Sequence, residues 1–429
     1  MNNALRNFLF YDFTEPIRDP IWQNIYLSSG TKAVTQSPLF QKLSRIRQLG
    51  PTYHVYPGAT HTRLNHSLGV FHIAKRLITK LLSGDNPPQL SLEGVKSFLI
   101  ASLLHDIGHF PYAHSLKELP LKEHEAIAAE MILDSGLTSV IKDKAGADPL
   151  AVASIIDENM DPADNFEVPF YRSMLSGVLD PDKLDYLNRD AFFCGVPYGI
   201  QDTDFYIDKI RFDQRKIVLE ESGITAIENI LFSKYLMYKT VYWHKTVRIA
   251  TAMIKKATAL ALREGYLKPR QLYGLDDDDF YKTVHTPNFV PLKLIDRVFN
   301  RDLYKVAVDI DYSEKRHSKL LDLSSRFETE EMIAGELSGL TGTKWECQDV
   351  IIDIPEPISF EVDLHVKMPG GLRLFRDLHT GFSTAAVENF ILSLRKLRVF
   401  IPESKSDGKT AGCIQSILNE NIHGESNSR

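Results

Sequence analysis

The dipeptide His105-Asp106 closes an apolar run at residues 99–104 and sets an imidazole beside a carboxylate. Side by side, the two groups can offer a nitrogen and an oxygen donor to one divalent cation. Alone, such a pair serves equally well as a helix cap or a salt bridge. The continuation changes the balance. His105-Asp106-Ile107-Gly108-His109-Phe110-Pro111-Tyr112-Ala113-His114 places three histidines in ten positions. Several imidazoles are costly to bury without partners. Eight of the 14 histidines fall between His54 and His124, where an even spread would put roughly two. Two ligands rarely hold a metal. His66, opening an earlier helical pattern, and Asp182, on a later one, complete a candidate set with His105 and Asp106. Such a set leaves positions open for water and substrate, which separates a catalytic site from a structural one. Its nitrogen and oxygen donors suit Mn, Fe, Ni, Zn or Mg, so the expected cofactor is one divalent ion of this group.

Asp182, Tyr186 and Asp190 recur at i, i+4 and i+8, on one face of a helix. Lys183 lies ~100° around, and its long side chain can lean toward the same face. That face would hold a ligand carboxylate, a cation for phosphate, an aromatic hydroxyl and a carboxylate for a sugar hydroxyl. Asp185 and Arg189 read as an ordinary i,i+4 ion pair. His109 and His124 are candidates for acid catalysis, because a leaving oxygen needs a proton that a positioned imidazole can give. The same histidines could instead hold a second metal, and His124-Glu125 could be a plain helix start. His54, His61 and His72 read as scaffold. Lys234, Tyr238, Tyr242 and Lys245 share a second helical face, either turned toward the pocket or part of an aromatic core stripe.

The elements that must position these residues are mostly helical. Residues 1–35 carry β-type runs at 7–13 and 22–28 and read as an arm or hairpin. Residues 36–268 form the main block. Ser37 is an N-cap with Pro38 in the first turn. Helices are expected near 66–82, 93–106, 123–134, 148–158 and 170–193, with a long one at 223–264. No strand alternation interrupts them. Residues 269–402 mix strand-like runs at 303–310, 350–354, 361–367 and 372–375 with helices at 324–338 and 383–397. This reads as a smaller α+β domain. The acidic run Asp276-Asp277-Asp278-Asp279 reads as a solvated face. Residues 403–429 are expected to be a mobile polar tail.

The 429 residues carry a net charge of −6, which argues against a protein that coats polyanions unselectively. Cys194, Cys347 and Cys413 are scattered and odd in number, without thiolate-zinc spacing; this fits a reducing cytoplasm. No signal-peptide pattern opens the chain, and its greasiest stretch is far shorter than the ~20 residues that span a bilayer. The expectation is a soluble, cytoplasmic protein with no membrane partner.

Five stretches carry a family resemblance. They are Ser37-Pro38-Leu39-Phe40-Gln41-Lys42-Leu43, Arg47-Gln48-Leu49-Gly50, Tyr56-Pro57-Gly58-Ala59-Thr60-His61-Thr62-Arg63-Leu64-Asn65-His66-Ser67-Leu68-Gly69, His105 to His114, and Asp180-Pro181-Asp182-Lys183-Leu184-Asp185-Tyr186-Leu187-Asn188-Arg189-Asp190. In order and spacing, from about residue 8 to residue 250, the chain resembles the HD-domain metal-dependent phosphohydrolases. Within them it is similar to the SAM- and HD-domain deoxynucleoside triphosphate triphosphohydrolase branch. The resemblance implies a mostly α HD-domain helical bundle with His66, His105, Asp106 and Asp182 as metal ligands. It implies that Arg63, Lys183 and Tyr186 contact a triphosphate, that Gln48 and Asp190 read the deoxyribose 3′ side, and that His114 faces phosphate. It places Tyr242 in a segment closing the base and phosphate pocket. The implied substrate is a deoxynucleoside triphosphate, and the implied assembly a homo-oligomer, dimer or tetramer. Two alternatives stand beside this. One is another phosphohydrolase on the same scaffold: a nucleotidase, cyclic-nucleotide phosphodiesterase or nuclease. The other is a non-catalytic regulatory or nucleic-acid-binding protein, which the acidic charge and intact ligand set disfavour. Gln36 and Ser44 depart from the family's nucleotide-activated pattern, and Lys117 replaces an acidic residue found in some members.

Overall fold

The computed structural model describes residues 1–423 except 135, 163–166, 178–179, 286–287 and 361–362. Parts of the strand expected at 361–367 and of the tail expected at 403–429 therefore lie outside the described residues.

The N-terminal β-type run at 7–13 is corrected to a helix, α1 (Asn3–Tyr11). The Asn2 side chain accepts from the Leu5 N–H at 2.9 Å, a normal N-cap. Leu5, Phe8 and Leu9 form the buried stripe, so the apolar residues follow a helical period. The second run becomes β2 (Gln23–Leu27), paired antiparallel with β1 (Glu15–Asp19).

The helical block follows. It comprises α2 (Arg63–Leu82), α3 (Leu92–Leu104), α4 (His124–Asp134), α5 (Pro149–Ile156), α6 (Val168–Leu175) and α7 (Pro181–Cys194). Ser91 caps α3 by accepting from the Gly94 N–H at 2.9 Å. Most of α3 is buried on every side, so it has no polar face and runs through the core. The single helix expected at 170–193 is two, α6 and α7. Asp180 caps α7 by accepting from the Lys183 N–H at 2.7 Å, and Pro181 in the first turn starts a new helix rather than continuing an old one.

The long helix expected at 223–264 is also divided. α8 (Ile224–Met237) runs into a π-type turn at Tyr238–Tyr242, and α9 (Lys245–Arg263) restarts behind His244, whose Nδ1 accepts from the Thr246 N–H. A hairpin, β3 (Ile210–Asp213) and β4 (Lys216–Glu220), interrupts the block where no strand was expected. Its turn residues Gln214 and Arg215 both have positive φ, 47° and 62°, without the glycine or asparagine that marks such turns in a sequence.

The C-terminal part is α+β. It contains β5 (Lys305–Asp311), α10 (Leu323–Thr341), β6 (Ile351–Asp353), β7 (His365–Met368), β8 (Gly371–Leu374), α11 (Thr384–Leu394), β9 (Lys396–Ile401) and α12 (Gly408–His423). One sheet runs β5-β9-β6, antiparallel throughout. The other runs β3-β4-β7-β8, so β7 pairs in parallel with β4 and carries Val366 into the helical core. Residues 396–401 had no strand in the sequence reading, which continued the preceding helix to 397. The expected tail is corrected as well: α12 buries Ile414, Ile417 and Leu418 at i, i+3 and i+4. Among the described residues, no helix is long and apolar enough to cross a membrane.

Candidate metal centre

Three helix ends meet. α3 delivers His105 and Asp106 just past its last turn, α2 delivers Arg63 and His66 in its first turn, and α7 delivers Asp182 in its first turn. His66 Nε2 lies 2.8 Å from Asp182 Oδ1 and 3.9 Å from Asp106 Oδ2. His105 Nε2 lies 3.5 Å from Asp106 Oδ1 and 3.8 Å from Asp182 Oδ1. His105 Nε2 is buried and has no hydrogen-bond partner, while its Nδ1 faces the Ser102 carbonyl at 3.0 Å. An orphaned buried nitrogen aimed at two carboxylates fits a divalent ion, and so does the mixed nitrogen and oxygen donor set. The Asp182 side chain is 38% exposed and marks the side open to solvent.

Charge follows the same geometry. Burial alone would raise the Asp106 carboxyl, but the Arg63 guanidinium at 2.7 Å, with His105 and His66, holds it well below the usual carboxylate range. Burial alone would lower His66, yet its hydrogen bonds to Asp182 and Asp185 lift it to about 10. The carboxylates thus favour a proton on the His66 imidazole, and a divalent ion would take the place of that proton at Nε2.

The other histidines stand behind Asp106. His109 Nδ1 lies 3.2 Å from Asp106 Oδ1, and His109 Nε2 meets His114 Nε2 at 3.1 Å. The His109 and His124 rings are 3.8 Å apart, and those of His114 and His124 5.4 Å. Burial, followed by Arg63, pushes His109 well below its ordinary value; burial, followed by His114, pushes His124 down. Asp106, His109 and His124 bring ligand atoms within 4.8 Å of one another, as do His66, His105 and Asp182. The crowding needs Gly108, where a Cβ would sit 2.0 Å from the His124 carbonyl oxygen. From below, the buried Lys42 ammonium donates to the Ile107 and His109 carbonyls at 3.1 and 3.2 Å.

The expected substrate-side residues are distributed unevenly. Asp190 is buried between His61 Nε2 at 2.8 Å and the Tyr242 hydroxyl at 2.7 Å. Tyr186 meets Tyr242 edge-on at 6.3 Å between centroids. Gln48 sits beside this group through its N–H to the His61 carbonyl, and its Oε1 is buried without a hydrogen-bond partner. Lys183 Nζ is engaged by Asp180 at 2.8 Å and the Gly177 carbonyl at 2.9 Å. Lys234 is tied elsewhere: its Nζ donates to the Ser359 carbonyl at 2.5 Å, and the π-type turn breaks the spacing that would align it with Tyr238, Tyr242 and Lys245. His61, read as scaffold, bonds directly to Asp190; its place two residues before Arg63 is the only signal the sequence held.

A helical bundle that brings His66, His105 and Asp182 together, with Asp106 3.5 Å from His105 and an arginine and a histidine trio beside it, has the makings of a metal-dependent hydrolase site. The chain matches the family described as HD domain over residues 63–189 and the HD associated region over residues 201–419. It belongs to this family, the HD-domain metal-dependent phosphohydrolases. An uncharacterized protein of Methanocaldococcus jannaschii is 32% identical over 327 residues, 72% of this chain and 66% of the relative. The human deoxynucleoside triphosphate triphosphohydrolase SAMHD1 is 24% identical over 413 residues, 83% of this chain and 64% of that protein. The matches thus span just under two thirds of either relative's length. A hypothetical protein from Aquifex aeolicus shares the fold with a TM-score of 0.71 and 25% identity, covering 94% of this chain and 99% of that one.

Proposed function

We propose that the chain hydrolyses a deoxynucleoside triphosphate at the α-phosphorus, releasing deoxynucleoside and triphosphate. The observation that carries the reading is the convergence of His66, His105, Asp106 and Asp182 beside Arg63. A divalent ion held by these four would polarise phosphate oxygens and lower the pKa of water. The residues around it do the rest. Arg63 sets a fixed cation against the phosphates. Lys183 reaches the triphosphate by exchanging Asp180 for it. When the bond to the 5′-oxygen breaks, that oxygen needs a proton; His109 and His124, held neutral by burial as they stand, would supply it once the anionic phosphates beside them favour their charged forms, with the exposed His114 linking the trio to solvent. Gln48 Oε1, an acceptor without a partner, and the Asp190 cluster suit a sugar hydroxyl. The name of the human relative supports a nucleotide substrate. We extend the same reading to a cytoplasmic homo-oligomer.

A second reading rests on one observation. Asp106, His109 and His124 could hold a second cation, which would suit a phosphodiester substrate. Product analysis separates the two. Purified protein with Mn, Fe or Mg, given each deoxynucleoside triphosphate, is expected to release free deoxynucleoside and intact triphosphate. Release of monophosphates, or cleavage of cyclic nucleotides or nucleic acid alone, contradicts the first reading.

A further inference from the structure

His66 Nδ1 faces away from the convergence point and lies 2.8 Å from Asp185 Oδ2. Asp185 and Arg189 are both wholly buried. A solvent-facing i,i+4 pair needs neither burial nor partners from other elements, yet here four donors surround one carboxylate. His66 Nδ1 and Arg189 Nε (2.8 Å) meet Oδ2, while Arg189 Nη2 (2.9 Å) and Trp22 Nε1 (2.5 Å) meet Oδ1. Arg189 Nη1 continues to Asp19 Oδ2 at 2.8 Å. Asp19 Oδ1 in turn accepts the backbone N–H groups of Ile21 and Trp22 in the β1–β2 turn. The contacts run unbroken from the metal site to the N-terminal hairpin. Packing enforces them: a Cβ on Gly69 would stand 1.8 Å from Asp185 Oδ1.

A carboxylate ringed by donors accepts at every position. The hydrogen between it and His66 therefore belongs to Nδ1, which leaves Nε2, facing Asp106 and Asp182, as the nitrogen that can exchange its proton for a cation. We propose that Asp185 is a positioning residue for the metal centre: braced by Arg189 and Trp22, it holds His66 in the orientation and tautomer that present Nε2 to the cation. The proposal rests on the reading of His66 as a metal ligand. It also makes the N-terminal hairpin part of the site, through Trp22 directly and through Asp19 by way of Arg189.

The test measures metal affinity by chelator competition with Zn or Mn on full-length protein shown to be folded. Asp185→Asn keeps the shape but turns an amide N–H against donors, and is expected to bind metal about 10- to 100-fold more weakly. Trp22→Phe removes one N–H and keeps a ring against His72; it is expected to weaken binding about threefold. Imidazole nitrogen spectra of the Zn-loaded wild type should show the His66 proton on Nδ1. If the wild type binds no ion, or Asp106→Ala leaves binding intact, the metal-centre reading itself fails. If Asp106→Ala abolishes binding while both variants stay within about twofold of wild type, only the role of Asp185 fails; a His66 proton on Nε2 would remove His66 from the ligand set as well. Should Asp185→Asn not fold, Trp22→Phe and the spectrum decide.

Discussion

His66 and His105 each turn Nε2 toward the site because Nδ1 is already engaged, by Asp185 in one case and by the Ser102 carbonyl in the other. The proposed ligands were legible because spacing and residue type are local signals: an imidazole beside a carboxylate at a helix end, an aspartate behind a capping Asp180-Pro181. Their supports were not, since Trp22 and Asp185 are 163 residues apart and Asp19 and Arg189 are 170 apart. Arg189 therefore read as an ordinary i,i+4 partner of Asp185. A histidine outside the ligand set gives a pH prediction. His72 stacks on Trp22 at 6.0 Å, and burial, followed by Arg76 and Lys75, lowers it from 6.5 to about 4. Its folded form resists the proton that the unfolded chain accepts. The stability it contributes is present above pH 6.5 and is lost as pH falls through 4. Urea unfolding of His72→Phe should lose up to about 3 kcal/mol of the acid sensitivity seen in that window. An unchanged pH profile contradicts this.

At the scale of elements, the site exists because α2, α3 and α7 end at one place, and glycines let them close up. Helices of this kind were legible from their apolar period. The short elements were not: β3 and β4 turn on Gln214 and Arg215 at positive φ without the usual glycine signal, and β9 follows a helical stretch with no turn residue between. α9 carries the C-terminal part on charged side chains. Arg248 grips the buried Asp353 of β6 with Nε at 2.9 Å and Nη2 at 2.5 Å, and Lys256 pairs with the buried Glu330 of α10. Arg248→Ala would strand a buried carboxylate, so denaturant unfolding should show a loss of about 3–5 kcal/mol. Replacing both partners by leucine should recover most of it. Equal losses in the single and double variants would show that the charge is not the cause.

At the scale of the whole molecule, the N-terminal hairpin and a strand of the C-terminal part are built into the helical core. The hairpin at 15–27 braces α7 through Asp19 and Trp22, and β7 joins β4. Glu118, four residues past His114, is held by Lys255 at 3.0 Å and by Arg326 of α10 at 2.8 Å. The histidine loop is thereby anchored to the C-terminal part, a connection no local sequence pattern announces. The family was legible from five short stretches because its motifs are local; the long-range braces belong to the fold alone. All of the proposed chemistry requires one cation among two imidazoles and two carboxylates. Anomalous diffraction from crystals grown with Mn or Zn tests it directly. A peak is expected about 2.0–2.3 Å from His66 Nε2, His105 Nε2, Asp106 and Asp182. A peak at other residues, or none at full metal loading, would contradict it.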